Sequence, residues 1–170
     1  MRVLYRARQF IGGLTARVSE ADRRAADEVL PPAARAWFRS LPRDAQWHGL
    51  NVLRDLQCAG YDQPALLAAA LLHDAGKIEA ANGPLVRAVM VLARKFAPDW
   101  LARRSHLDWR TARGLNRVAA VAVQHPQIAA ERAAQCGCDP STIDLIRRHQ
   151  DKAATHDDWL RALQQVDDRN

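Results

Sequence analysis

Apolar residues recur at helical spacing along most of the chain, and short stretches with proline, glycine or aspartate separate the apolar segments. In segment 44–59, for example, Trp47, Leu50, Leu53 and Leu56 mark one face of an amphipathic helix. Runs of β-branched residues, which favour strands, are scarce. The pattern predicts helices over residues 20–30, 33–39, 44–59, 66–72, 85–96, 114–123, 128–135, 141–149 and 159–166.

Residues at the ends of these segments support the helical prediction. Ser19 is suited to cap the first helix, and Pro31-Pro32 can open the second. Gly60 is expected to end the helix over 44–59 in a left-handed conformation. With 170 residues, one domain is expected. We therefore predict an all-α, single-domain helical bundle of about seven to nine helices.

Composition narrows the class of protein. The chain is 48% hydrophobic and 26% charged, as in a soluble globular protein. No apolar run approaches the ~20 residues of a membrane-spanning helix, so we expect a cytoplasmic protein with no transmembrane segment. Cys58, Cys136 and Cys138 form no C-x-x-C pair, and we expect them to be reduced thiols.

The net charge of +6 favours a phosphate-bearing partner. Because the arginines are dispersed among acidic residues and no nucleic-acid-binding motif is present, a small phosphorylated substrate is favoured over nucleic acid. Trp100 and Trp109 lie in the arginine-rich segment 99–113, where a nucleobase contact is conceivable. Packing is the simpler role for these and for the other tryptophans.

The strongest chemical signal is an apolar segment that ends in two metal-capable side chains. Leu66–Leu72 is apolar on every side, as expected of a helix at the centre of a bundle. His73 and Asp74 follow it, although a packed core has no need of them. On a continuing helix the two would point about 100° apart, so they would not chelate one ion from the same face. They can instead serve two ions, with Asp74 bridging and His73 on one side.

Lys77 lies four residues after His73, one turn along the same face if the helix continues. Two cations would repel its ammonium group unless an anion lay between them, which suits a phosphoryl group. Alternatively, Lys77 complements the dipole at the C-terminus of the preceding helix.

Three separated motifs together resemble the HD-domain phosphohydrolase superfamily. They are His48 in DAQWHGLNVLRDL, the doublet His73-Asp74 in AALLHDAGK, and Asp167 in LRALQQVDDRN. The resemblance covers roughly residues 41–168. It implies an HD domain over residues 41–170, and we expect residues 1–40 to form an N-terminal helical extension packed on that domain.

Two further histidines match branches of the superfamily that hold two metal ions. His125 in VAVQHPQIAAERAAQCGCD and His149 in IDLIRRHQD lie between the doublet and Asp167. The GYP signature of one phosphodiesterase branch is absent, so the subfamily stays open. The resemblance implies two divalent ions, such as Fe or Mn, and these metal ligands: His48, His73, Asp74, His125, His149 and Asp167.

The resemblance also implies a function. The chain is similar to metal-dependent phosphomonoesterases and phosphodiesterases, which use a metal-activated water on nucleotide-like or other phosphorylated substrates. Asp74, as the bridge, and Lys77, beside the phosphoryl oxygens, would be the catalytic residues. The alternative is an HD-fold sensor that binds metal or nucleotide with little turnover. Asp168 competes with Asp167 as the last ligand, and Asp151 is a candidate for orienting His149.

Overall fold

The structure, a computed structural model, describes residues 18–80, 96–104, 106–151 and 156–170. These residues form eight α-helices, one 3-10 helix and no strand, which confirms the all-α prediction. The predicted helix over 85–96 lies almost wholly outside the described residues. The helices are α1 (Glu20–Val29), α2 (Pro32–Ser40), α3 (Arg43–Cys58), α4 (Pro64–Leu72), the 3-10 helix (Ala75–Ala80), α5 (Pro98–Ala102), α6 (Gly114–Gln135), α7 (Pro140–Arg148) and α8 (Asp158–Asp167).

Helix α4 lies at the centre of the core because it is apolar on every side. All residues from Leu66 to Leu72 are buried, as predicted. Helices α1, α3, α7 and α8 pack around it. The residues that follow the C-terminus of α4 therefore enter the interior of the bundle.

The described residues before α3, which begin at Val18, pack on the same core. Ser19 and Asp22 form a reciprocal cap at the start of α1, with N–H···O distances of 3.2 and 2.9 Å, so the predicted cap is confirmed. Leu30 and Phe38 are buried in the main hydrophobic cluster. A boundary near residue 40 between an extension and a domain stays a prediction.

Helix α3 ends at a glycine, as predicted. Gly60 has φ of +90°, a left-handed conformation that costs glycine little. The Tyr61 amide then donates to the Leu56 carbonyl at 3.0 Å, which closes the end of the helix.

The prediction of two helices over 114–123 and 128–135 is wrong, because α6 runs through both ranges with Pro126 inside it. Proline has no N–H to donate to the Ala122 carbonyl one turn earlier. His125 Nδ1 lies 3.1 Å from that oxygen and, in the tautomer with its proton on Nδ1, donates to it. The histidine side chain thus supplies a donor that the proline lacks.

None of the helices in the described ranges is long and apolar enough to cross a membrane.

Candidate metal centre

The six side chains predicted as ligands converge at one place in the bundle. Two overlapping triads have ligand atoms within 4.8 Å of one another, and both contain Asp74. They could hold metal ions. The six come from α3 (His48), the end of α4 (His73), the turn after it (Asp74), α6 (His125), the residue after α7 (His149) and the end of α8 (Asp167).

Asp74 lies between two pairs of histidines, with one carboxylate oxygen towards each pair. Its Oδ1 is 3.3 Å from His125 Nε2 and 3.6 Å from His149 Nε2. Its Oδ2 is 3.6 Å from His48 Nε2 and 3.8 Å from His73 Nε2. A carboxylate whose two oxygens face different ligand sets is able to bridge two ions.

His73 keeps helical backbone angles, and its amide still donates to the Ala69 carbonyl at 2.9 Å. His73 and Asp74 nevertheless belong to one triad, with His73 Nε2 and Asp74 Oδ2 3.8 Å apart, so the expectation that adjacent residues would not serve one ion is wrong. Asp74 Oδ1 meanwhile faces the second triad.

Asp167 completes the set of side chains around His48 and His73. Its Oδ1 is 3.1 Å from His48 Nε2 and 3.3 Å from His73 Nε2. Those two histidine nitrogens are 3.2 Å apart. Two imidazole ligands of one ion, at about 2.1 Å from it, lie roughly 3.0–3.4 Å apart at octahedral or tetrahedral angles, so the spacing suits a common ion.

Three of the four histidines are oriented by a backbone carbonyl three residues earlier. The Nδ1 atoms of His73, His125 and His149 lie 3.0, 3.1 and 2.7 Å from the carbonyls of Ala70, Ala122 and Ile146. The Ala70 and Ile146 carbonyls belong to the last turn of a helix, where no later backbone N–H is available to donate to them. The Ala122 carbonyl lacks a backbone donor because Pro126 has no N–H. A hydrogen bond from Nδ1 to a carbonyl keeps the proton on Nδ1, so the lone pair on Nε2 is available to a metal ion.

Three buried atoms at the centre make no hydrogen bond: Asp74 Oδ1, His125 Nε2 and His149 Nε2. A buried polar atom without a partner costs about 1–3 kcal/mol and is rare in folded proteins. A cation bound by all three would give each atom a partner at once. The side chains of His125 and His149 are at most 1% exposed, so bulk solvent does not supply the missing partners.

Burial and neighbouring charges shift the pKa values of three of the candidate ligands, and for His125 and Asp74 the shift favours the metal-binding form. Burial lowers the pKa of His125 to about 4, so its imidazole is neutral near pH 7. Burial opposes ionisation of Asp74, but Lys77 and His73 outweigh it and hold the pKa of that carboxyl well below its ordinary value. In the metal-free protein, burial tends to lower the pKa of His73, but Asp74 and Asp167 raise it above the ordinary value.

Lys77 lies in the 3-10 helix and not on a continuation of α4. Its ammonium group forms an ion pair with Asp74 Oδ2, and its side chain is 47% exposed. The lysine therefore adjoins the centre from the solvent side.

The structure does not support the suggested roles of Asp151 in orienting His149 and of Trp100 in a nucleobase contact. The Ile146 carbonyl, rather than Asp151, is the partner of His149 Nδ1, and the Asp151 side chain is 62% exposed. The Arg104 guanidinium lies 3.9 Å from the ring centre of Trp100, so the protein's own arginine already covers a face of that indole.

Sequence analysis missed two glycines that pack closely against other helices beside the candidate ligands. Gly49 follows His48 and packs so closely on α4 that a Cβ would lie 2.8 Å from the Leu71 carbonyl oxygen. Gly76 is two residues after Asp74, and its added Cβ would collide with the His125 carbonyl. Gly49 had a detectable signal, because a glycine inside a helix is about 1 kcal/mol less favourable than alanine and needs a reason.

A pair of neighbouring aspartates offers a test of the last ligand. Asp167→Asn is expected to weaken Mn²⁺ binding to the metal-free protein by at least about tenfold, because it removes the charged oxygen facing His48 and His73. The matched control is Asp168→Asn, which alters an exposed side chain and is expected to leave the titration unchanged. If Asp168→Asn alone weakened binding, Asp168 would be the ligand instead.

No protein-family model matches the chain, and neither a curated protein nor a solved structure is similar to it at a significant level. The candidate metal centre therefore rests on the residues and geometry of this chain.

Proposed function

We propose that the protein is a metal-dependent phosphohydrolase that holds two divalent ions on the two triads. The observation that carries this proposal is the position of Asp74, with one oxygen towards His125 and His149 and the other towards His48 and His73. A bridging carboxylate between two sets of neutral imidazoles is a common way to hold a pair of ions for hydrolysis. The resemblance of the motifs to the HD-domain superfamily supports the same activity.

The proposed ligands are His48, His73 and Asp167 for one ion and His125 and His149 for the other, with Asp74 shared. Neutral imidazoles and carboxylates suit Fe, Mn or similar ions. Bound there, the ions would supply a water of lowered pKa and positive charge opposite the phosphoryl oxygens.

The substrate would approach from the side of the centre that solvent reaches. His48, Asp74 and Asp167 have side chains 22%, 20% and 28% exposed, whereas His73 is only 1% exposed. Lys77 lies on this open side and carries a cation that can bind a phosphoryl oxygen. A phosphate ester or anhydride, with its charge concentrated at one end, fits this arrangement better than a neutral substrate does.

The activity is tested on protein purified with Mn²⁺ or Fe²⁺. Metal content per chain is measured, and hydrolysis is screened with a generic phosphomonoester, a generic phosphodiester and a panel of nucleotides. We expect two ions per chain and turnover on at least one substrate class, abolished by a chelator and restored by added metal. Two bound ions with no turnover on any substrate would reject the enzyme and favour the sensor.

A further inference from the structure

The two proposed metal positions are physically unequal. We define the inner position as Asp74 Oδ1 with His125 and His149, and the outer position as Asp74 Oδ2 with His48, His73 and Asp167. We propose that the inner position fills first, and that Lys77 occupies part of the outer position until a second ion displaces it. This inference rests on the dimetal site of the proposed function and adds an order of loading and a role for Lys77 in it.

The inner position is ready to accept an ion. Its three candidate ligand atoms are buried and make no hydrogen bond. A cation can therefore bind them without breaking a hydrogen bond. The rings of His125 and His149 are already fixed through Nδ1 by the carbonyls of Ala122 and Ile146. An ion that gains three partners without displacing any, at a site that needs little rearrangement, is bound tightly.

The candidate ligand atoms of the outer position already have partners within the protein. Lys77 forms its ion pair with Asp74 Oδ2. Asp167 Oδ1 lies within 3.1 Å of His48 Nε2 and 3.3 Å of His73 Nε2. An ion entering there must separate the ammonium group from the carboxylate and replace these contacts, and it meets the lysine's positive charge at close range. The second ion is therefore bound more weakly than the first.

Displacement of Lys77 has a consequence for substrate binding. Its side chain is 47% exposed, so it can move to solvent when its carboxylate partner is taken by an ion. The free ammonium is then available to a phosphoryl oxygen beside the centre. Metal loading and phosphate binding are thereby coupled. The Lys77 ammonium pairs with Asp74 when one ion is bound, and it can pair with a phosphate oxygen when two ions are bound.

The test is a titration of metal-free protein with Mn²⁺, followed by the electron paramagnetic resonance signal of free Mn²⁺. We expect one tight and one weak class of site, differing by at least about tenfold. Lys77→Met removes the charge and keeps an unbranched side chain. It is expected to tighten the weak class by about tenfold and to leave the tight class unchanged. His149→Ala is expected to remove the tight class.

Two controls accompany Lys77→Met. Lys77→Arg retains the cation and is expected to retain both classes of site. Arg24→Met removes an exposed cation on α1 and is expected to change neither class. Two equal classes in the unsubstituted protein, or a weak class that Lys77→Met weakens or leaves unchanged, would overturn the inference.

Binding of inorganic phosphate, measured by calorimetry, tests the coupling. We expect phosphate to bind more tightly with two equivalents of Mn²⁺ than with one, and Lys77→Met to remove most of that gain. An equal phosphate affinity at one and two equivalents would overturn the coupling. Neither titration measures turnover, so both can succeed when no substrate is hydrolysed, in which case only the proposed function fails.

Discussion

Replacing Asp74 by asparagine is expected to remove both metal ions and to lower hydrolysis by roughly a thousandfold or more. The amide keeps the size of the side chain but loses the charge that both triads share. Among the described residues, Asp74 alone has carboxylate oxygens within 4 Å of the Nε2 atoms of all four histidines. The measurements are metal content per chain after dialysis and the initial rate on the best substrate of the screen.

The effect of Asp74→Asn should be confined to the centre. Lys77, which loses its charged partner, is half exposed and can be solvated, so the metal-free variant is expected to stay folded by circular dichroism. Asp168→Asn serves as the matched control, because it removes a carboxylate from the exposed residue directly after α8. A variant Asp74→Asn that retained two ions would show that Asp74 does not bridge.

Two of the candidate ligands could be predicted from their place directly after a helix that is buried in the core. His73 follows a segment that is apolar on every side, and His149 follows the last turn of α7. That such distant residues meet could not be derived from spacing, since His48 and Asp167 are far apart in sequence. The resemblance to the HD-domain superfamily implied that these residues lie at one site. The close contact of Asp167 with His48 and His73 agrees with that expectation.

Other features depend on contacts that no local pattern encodes. Pro126 predicts a break in the helix, but a side-chain donor from His125 compensates for the missing N–H and the helix continues. The turn at His73 and Asp74 likewise replaces the continuing helix expected from the apolar run. In both cases a histidine that serves the centre also bonds to a backbone carbonyl, so local structure and site are specified together.

The close approach of Gly76 to α6 gives the second prediction with a large expected effect. In Gly76→Ala, the new Cβ would collide with the His125 carbonyl and lie 3.0 Å from the Ala129 amide nitrogen. These are backbone atoms inside a helix and cannot move aside singly. We therefore expect a loss of about 1–3 kcal/mol in the free energy of unfolding, and a displacement of Asp74 from His125 that weakens the first Mn²⁺ by at least about tenfold. Chemical denaturation and the Mn²⁺ titration measure the two effects.

Gly60→Ala separates loss of stability from loss of the site. Gly60 has a left-handed conformation, and an added Cβ there meets no atom within 4 Å. The substitution is expected to cost about 1 kcal/mol through backbone strain alone, with Mn²⁺ binding unchanged because the added methyl group would contact no candidate ligand. If Gly76→Ala bound Mn²⁺ as tightly as Gly60→Ala does, the packing of the 3-10 helix on α6 would not position Asp74. A selective loss of the first ion in Gly76→Ala would instead make that contact the element that sets the distance between Asp74 and His125.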